Sequence, residues 1–229
     1  MTTPSLFIAS PGAGYLNTAS HFGISSVVGR SMRMWERRYG PDAKCGYSVT
    51  VRLPVDKARN QLAQAALDGG FDWIFWIDDD MDPPADVVER LMAHDAPIAS
   101  GLCSIKVLPP AVMAYVFIGG MSHIIKRPEW DGVHTVDAVG TACVLMKREV
   151  LQYVWDKTEG CPFQYGPIVP ATGKRKYGTE DLYFFELASE AGYKVTLDTS
   201  IVVPHIGPHA FMPNAKSLME SAGTAAAKA

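Results

Sequence analysis

The chain has 229 residues, a length one hydrophobic core can organise, and its 48% hydrophobic and 20% charged composition excludes the low-hydrophobicity signature of disorder. Its 21 Lys and Arg against 24 Asp and Glu give a net charge of -3, so nothing draws it generally to nucleic acid or anionic membrane; a polyanion would have to meet a local patch. Cys45, Cys103, Cys143 and Cys161 form no Cys-x-x-Cys pair, which argues against a zinc ribbon or a dense disulfide scaffold and fits reduced thiols in a cytosol.

No basic segment followed by a long apolar run opens the chain, so no secretory signal is expected and the mature protein is expected to begin near Met1. Leu6-Phe7-Ile8-Ala9, ended by Pro11-Gly12, reads as a buried first strand, followed by a helix carrying Met32, Met34 and Trp35. Gly46 to Leu53 is a second strand with Val49 and Val51 on one side. Asp56 to Leu67 is a helix with Ala58, Leu62, Ala65 and Ala66 at helical spacing and a stop at Gly69-Gly70. Trp73-Ile74-Phe75-Trp76-Ile77 is a continuous aromatic and β-branched run, as expected of a central strand covered on both faces. Pro83 to Ala93 is predicted as a helix and Pro97 to Leu102 as a strand, so the first half alternates strand and helix as a mostly parallel α/β sheet does.

The second half is less regular. The charge-free stretch Val107 to Ile125 is broken by Pro109, Pro110, Gly119 and Gly120 and reads as loop and buried strands with no membrane span. Strands are predicted at Ala111 to Ile118, His134 to Val139, Ala142 to Met146, Tyr193 to Leu197 and Ile201 to Val203. A Pro- and Gly-rich loop from Cys161 to Tyr177 leads into a helix from Glu180 to Ala191. One domain over residues 1–213 and a tail over 214–229, without apolar periodicity, complete the expected organisation.

Asp78-Asp79-Asp80 directly follows the central apolar run. Three adjacent carboxylates repel one another, and a cation would relieve that cost. In an extended segment Asp78 and Asp80 share a face and can converge on one hard cation, Mg²⁺ or Mn²⁺, while Asp79 points away. The carboxyl end of a strand in an open α/β sheet is where ligands bind, although a triplet can also be a solvated loop. Asp82 before Pro83 has the pattern of a helix N-cap. Glu180 and Asp181, behind a capping Thr179, are ordinary first-turn acids, yet a carboxylate kept ionised there also suits a general base toward a hydroxyl. His205, after a short apolar strand, reads either as structural or as a neutral imidazole completing a carboxylate metal site. Gly12-Ala13-Gly14 fails the dinucleotide fingerprint, since Asn17 stands where its third glycine belongs, and no Gly-Lys-Ser/Thr follows for a P-loop.

Six short segments taken in order resemble the GT-A glycosyltransferases, especially family-two-like enzymes and the short soluble versions common in tailed-phage genomes. They are Ser10-Pro11; Lys57-Ala58-Arg59-Asn60; Trp76-Ile77-Asp78-Asp79-Asp80-Met81; and Gly140-Thr141-Ala142-Cys143-Val144-Leu145-Met146 with Gly178-Thr179-Glu180-Asp181 and Pro204-His205. The resemblance implies a GT-A fold, a mostly parallel central sheet flanked by helices, and transfer of a hexose from a nucleotide-sugar, in the first place a UDP-sugar, to an acceptor hydroxyl. It implies that Ser10 and Pro11 border the base and Arg59 lies near the nucleotide. Asp78 and Asp79 would hold ribose and diphosphate, and Asp80 with His205, and Asp78 beside them, would ligate Mn²⁺ or Mg²⁺. Gly140 and Thr141 would line the sugar pocket, and Asp181 would be the base with Glu180 orienting it or the acceptor.

Without membrane helices or a carbohydrate-binding module, lipid-linked acceptors and processive synthesis are not expected, and a cytoplasmic setting is, the host's if the chain is phage-encoded. The acceptor stays open between a hydroxymethylated pyrimidine in phage DNA and a surface glycan or protein. Lys174-Arg175-Lys176 with Arg30, Arg33, Arg37 and Arg38 could contact phosphates or be solvated charge. Readings of another class are a Mg-dependent phosphotransfer enzyme and a silent nucleotide-sugar binding module.

Overall fold

The computed structural model describes residues 3–12, 18–107, 109–126, 130–170, 173–207 and 210–211. The tail assigned to 214–229 lies outside them. The first half contains β1 Leu6–Gly12, α1 Thr18–Tyr39, β2 Cys45–Val51, α2 Val55–Asp68, β3 Trp73–Ile77, α3 Val87–Met92 and β4 Ile98–Leu102. Then come β5 Ser104–Ile105, β6 Ala111–Val112, β7 Ala114–Ile118, β8 Met121–Ile124, β9 Val133–Val136, β10 Ala138–Val139, β11 Cys143–Lys147 and α4 Arg148–Lys157. The chain continues through β12 Ile168–Val169, β13 Lys174–Arg175, α5 Glu180–Glu190, β14 Val195–Val202, β15 His205–Ile206 and β16 Ala210–Phe211.

A seven-stranded sheet in the order β2-β1-β3-β11-β4-β14-β9 runs through the molecule. Strands β2, β1, β3, β4 and β14 point one way, and β11 and β9 run against them. The sheet is therefore mostly parallel and flanked by helices, the α/β class expected from the sequence. Strand β3 sits at its middle because its residues are apolar on both faces: Ile74 and Trp76 pack with α2, α4 and α5, while Phe75 and Ile77 pack with α1 and α3.

Several local expectations change. Strand β2 lies at the sheet edge, so Thr50 is buried while Val49 and Val51 are exposed. In α2 the buried stripe includes Arg59 and leaves Ala65 outside, because Arg59 has partners below the helix that apolar character cannot reveal. The helix predicted from Pro83 begins only at Val87, with Asp86 at its N-cap position, so Asp82 caps nothing. Instead the Asp82 backbone N–H donates to the Pro204 carbonyl at 3.0 Å. Thr179 does occupy the position before α5, but its side chain makes no capping hydrogen bond.

Strand pairs predicted as Tyr193 to Leu197 and Ile201 to Val203 are one strand, β14, with an irregularity between Asp198 and Val202 where it pairs with β4. The sequence reading missed α4, whose Val150, Leu151 and Val154 are buried at helical spacing, and the β7–β8 hairpin. That hairpin turns at Gly119 and Gly120, both with positive φ (59° and 73°), the backbone a two-residue turn matched to strand twist requires.

Trp76 is fully buried and meets Phe163 edge-on at 5.0 Å between ring centroids. Trp76→Ala should cost about 3–5 kcal/mol in urea-monitored unfolding. Trp76→Phe should cost much less, since it keeps most of the apolar volume and deletes an indole N–H that has no partner among the described residues.

Candidate active site at the carboxyl end of the central strand

The acidic triplet begins where β3 ends, and the backbone turns at once, with Asp79 and Asp80 in the turn. The extended alternation that would put Asp78 and Asp80 on one face therefore does not persist, and the two carboxylates take different partners. Both oxygens of Asp78 accept from Nη2 of Arg59, at 2.9 and 3.1 Å. Asp80 faces His205, with Oδ2 to Nε2 at 3.2 Å, and the same oxygen accepts from Nζ of Lys106 at 2.6 Å.

Arg59 reaches this point from α2 and is buried at 4% exposure. Its Nη1 donates to Glu180, 121 residues further along the chain at the first turn of α5, so one guanidinium joins the carboxyl end of β3 to the start of that helix. The Phe163 ring lies beside the guanidinium, 5.9 Å from its carbon, within cation–π range. Asn60 fixes that neighbour: its amide donates to the Phe163 carbonyl and its carbonyl accepts the Phe163 N–H, both at 2.8 Å. Burial raises the pKa of Glu180 and of Asp78, and Arg59 opposes the rise at each. At Asp80 burial is outweighed by His205 and Lys106, which hold its pKa below the ordinary carboxylate value.

Asp80 and His205 are neighbours for a backbone reason. Met81 bridges His205 in antiparallel fashion, Ile206 N donates to the Asp80 carbonyl at 2.7 Å, and Asp82 N donates to Pro204. These bonds stitch the turn after β3 to the segment after β14. The His205 Nδ1 atom lies 2.8 Å from the Ser104 carbonyl, which can only accept, so Nδ1 carries a proton and Nε2 is the ring atom turned toward Asp80.

Asp79, Asp78 and Asp80 line a cleft of about 250 Å³ together with Pro11, Gly12, Leu53, Val55 and Ala58. A second hollow beside it is lined by Ser10, Tyr47, His21 and Ile24 along with Asp79 and the exposed β2 valines. Gly12 lies where these two meet: a Cβ there would stand 2.7 Å from the Thr50 carbonyl and 3.2 Å from Asp79 Oδ2, so only glycine lets the strands and the acid close up. Burial raises the Tyr47 pKa, Ser10 works against it and Asp79 adds to it, which places these three groups together.

Asp181 is partly exposed. Its Oδ1 accepts from the Leu182 N–H at 2.8 Å, and its Oδ2 lies 3.4 Å from the Thr141 N–H, beside Gly140. Tyr115, on β7, is pushed up to about 12 by burial and by Asp181. Glu180, by contrast, is 3% exposed and turned to Arg59, a placement for positioning and not for touching a substrate. The structure thus gathers the predicted residues into three linked groups: Ser10, Pro11 and Asp79 along the cleft, Arg59 with Asp78 and Glu180 beneath it, and Asp80 with His205 at its end. Asp181, Gly140 and Thr141 form a fourth group joined to these through Glu180.

Among the described residues no set of three or more His, Cys, Asp or Glu side chains is arranged to hold a metal ion; Asp80 and His205 supply two donors. Sequence reasoning missed Lys106, Ser104, Tyr47 and Tyr115, whose proximity depends on pairing across the sheet and carries no local motif.

No family model matches the chain. Among curated proteins it is 31% identical over 98 residues to a "Vanadate resistance protein" of Candida albicans, a match covering 39% of this chain and 22% of that protein, so the chain spans about a fifth of the relative's length. Among solved structures, "Crystal Structure of A197 from STIV" superposes with a TM-score of 0.57 at 20% identity, covering 93% of this chain and 92% of that one, which shows a shared fold. The catalytic domain of Drosophila beta1,4galactosyltransferase 7, in complex with xylobiose, is similar with a TM-score of 0.40 at 16% identity over 91% of this chain and 68% of that one.

Removing Arg59 leaves the buried carboxylate of Glu180 and the partly buried one of Asp78 without their shared cation, and breaking a buried pair typically costs about 3–5 kcal/mol. Arg59→Met should therefore be strongly destabilised in urea unfolding. A carboxylate whose folded pKa is raised contributes stability below its unfolded value and loses it as pH rises through the folded one. With Arg59 gone the rise at Glu180 is unopposed, so the variant should lose stability relative to wild type as pH rises above the ordinary carboxylate range. Glu180→Gln in the same background should flatten that slope; an unchanged slope assigns it to another group.

Proposed function

We propose that the chain is a metal-dependent glycosyltransferase that moves a sugar from a nucleotide-sugar to an acceptor hydroxyl. The observation that carries this reading is the pairing of Asp80 with His205 at the mouth of a cleft lined by all three acids of the triplet. With Nδ1 of His205 held by the Ser104 carbonyl, Nε2 is aimed at the Asp80 carboxylate, so an imidazole nitrogen and a carboxylate oxygen converge on one point where a divalent cation could be held. Oxygen and imidazole donors suit Mn²⁺ or Mg²⁺, with substrate phosphates and water completing the shell, so two protein donors fit such an ion. When bound, that ion would offset the charge developing on the departing nucleoside diphosphate.

The chain's own groups take the remaining parts. Tyr47, Ser10 and Asp79 line a hollow suited to a nucleoside, with an aromatic face, a hydroxyl and a carboxylate that can accept from ribose or base. Arg59 orders Asp78 and, through Glu180, fixes the first turn of α5 and with it Asp181. Asp181 is partly exposed and adjoins Gly140 and Thr141, so it can accept a proton from an acceptor hydroxyl while these two residues bound the sugar. For the acceptor, the arginines of α1 and Lys176 do not share one surface. Those of α1 stand on the helix packed against Phe75 and Ile77, whereas Lys176 pairs with Glu186 of α5 on the opposite face of the sheet. The proposal therefore rests on a hydroxyl acceptor without a DNA requirement.

The test is release of nucleoside diphosphate from a panel of nucleotide-sugars in the presence of Mn²⁺, with and without hydroxymethylated DNA, glycan and protein acceptors. Asp80→Ala should abolish metal-dependent donor binding. Asp181→Asn should retain donor binding and lower transfer by about 10²–10⁴-fold, the span of a lost general base. Absence of donor turnover by the wild type with any sugar and metal would sink the proposal, and full activity of Asp181→Asn would reassign the base.

A further inference from the structure

Asp80 Oδ2 carries two contacts at once. His205 Nε2 stands 3.2 Å away and Lys106 Nζ 2.6 Å away, and the short contact is the lysine's. Lys106 follows β5, whose first residue, Ser104, supplies the carbonyl that holds His205 Nδ1. Lys106 sits in the turn closed by the Val107 N–H on the Ile105 carbonyl, so one short stretch of chain both sets the imidazole and delivers an ammonium to the carboxylate beside it. The ammonium is thus a cation seated on the same carboxylate oxygen to which Nε2 of His205 points. Its side chain keeps 34% exposure on a flexible four-carbon stem, so it can leave Asp80 without breaking a packed core.

We infer that Lys106 is a displaceable internal cation: it neutralises Asp80 while the site is empty, competes with a divalent ion for that carboxylate, and on displacement turns to the diphosphate of the donor. The inference rests on the metal and diphosphate site of the proposed function and adds a residue and an order of exchange to it. Charge in the site stays balanced at each stage, first by an ammonium and then by a metal ion with the ammonium moved onto phosphate. The device also disfavours metal binding without nucleotide, because the ion must then displace a charge-assisted hydrogen bond with no phosphate to receive the lysine.

The test measures binding apart from catalysis, on the full chain, by titration of free Mn²⁺ with electron paramagnetic resonance and of inorganic pyrophosphate by calorimetry at saturating Mn²⁺. Lys106→Met keeps the apolar stem and removes the charge; Lys106→Arg keeps the charge. Lys106→Met should bind Mn²⁺ alone about fivefold more tightly than wild type, the scale of one partly exposed ion pair. It should bind pyrophosphate about tenfold more weakly, the scale of one charge-assisted contact. Lys106→Arg should stay near wild type in both. Unchanged or weaker Mn²⁺ binding by Lys106→Met overturns the inference, as does undiminished pyrophosphate binding or a wild type and Lys106→Met that both fail to bind Mn²⁺. Loss of sugar transfer from every donor, with the Mn²⁺ and pyrophosphate shifts present, removes the glycosyltransferase reading and leaves this exchange standing.

Discussion

The ion pairs of Arg59 with Asp78 and Glu180 tie together three elements that sequence order keeps apart. A guanidinium buried under a helix has to be compensated, and two carboxylates meet it from the end of the central strand and the first turn of α5. That requirement sets the distance between the acidic triplet and Asp181, because Asp181 is the residue after Glu180. Asn60, one residue along α2, latches the chain at Phe163 from the same helix, so the support below the site is continuous.

The triplet has divided labour as a result. Asp78 is structural in its contacts, Asp79 faces the hollow shared with Tyr47 and Ser10, and Asp80 is drawn to His205 by the backbone bonds that join the turn to β15. The carboxylates' environments push them apart: burial raises Asp78 against Arg59, whereas His205 and Lys106 outweigh burial at Asp80. Neighbouring acids with separated proton affinities can play separate parts in one reaction.

Much of the fold was legible because its signals are local. The apolar run Trp73 to Ile77 fills both faces of the sheet with alternate side chains, and the alternating strands and helices of the first half gave the α/β class. Errors fell where local character and tertiary position diverge. Val49 and Val51 are apolar yet exposed, because β2 is an edge; Arg59 is charged yet buried, because its partners lie elsewhere in the chain. The helix after the triplet begins late because Asp82 gives its N–H to Pro204, a bond no local pattern announces.

The sequence by itself singled out the candidate residues, since acids directly after a buried strand and at a helix start are visible as residue types in order. It also determined that the strand bearing them lies inside the sheet, for only a doubly covered strand accommodates five apolar residues in succession. Only the tertiary structure decided how those residues are shared out. Asp78 belongs to Arg59, Asp80 to His205 and Lys106, and Glu180 to positioning while Asp181 stays reachable. The physical reason is that a side chain's partner is set by non-local pairing, here β3 against β11 and the triplet's turn against β15, and electrostatic roles follow from distances that residue order does not encode.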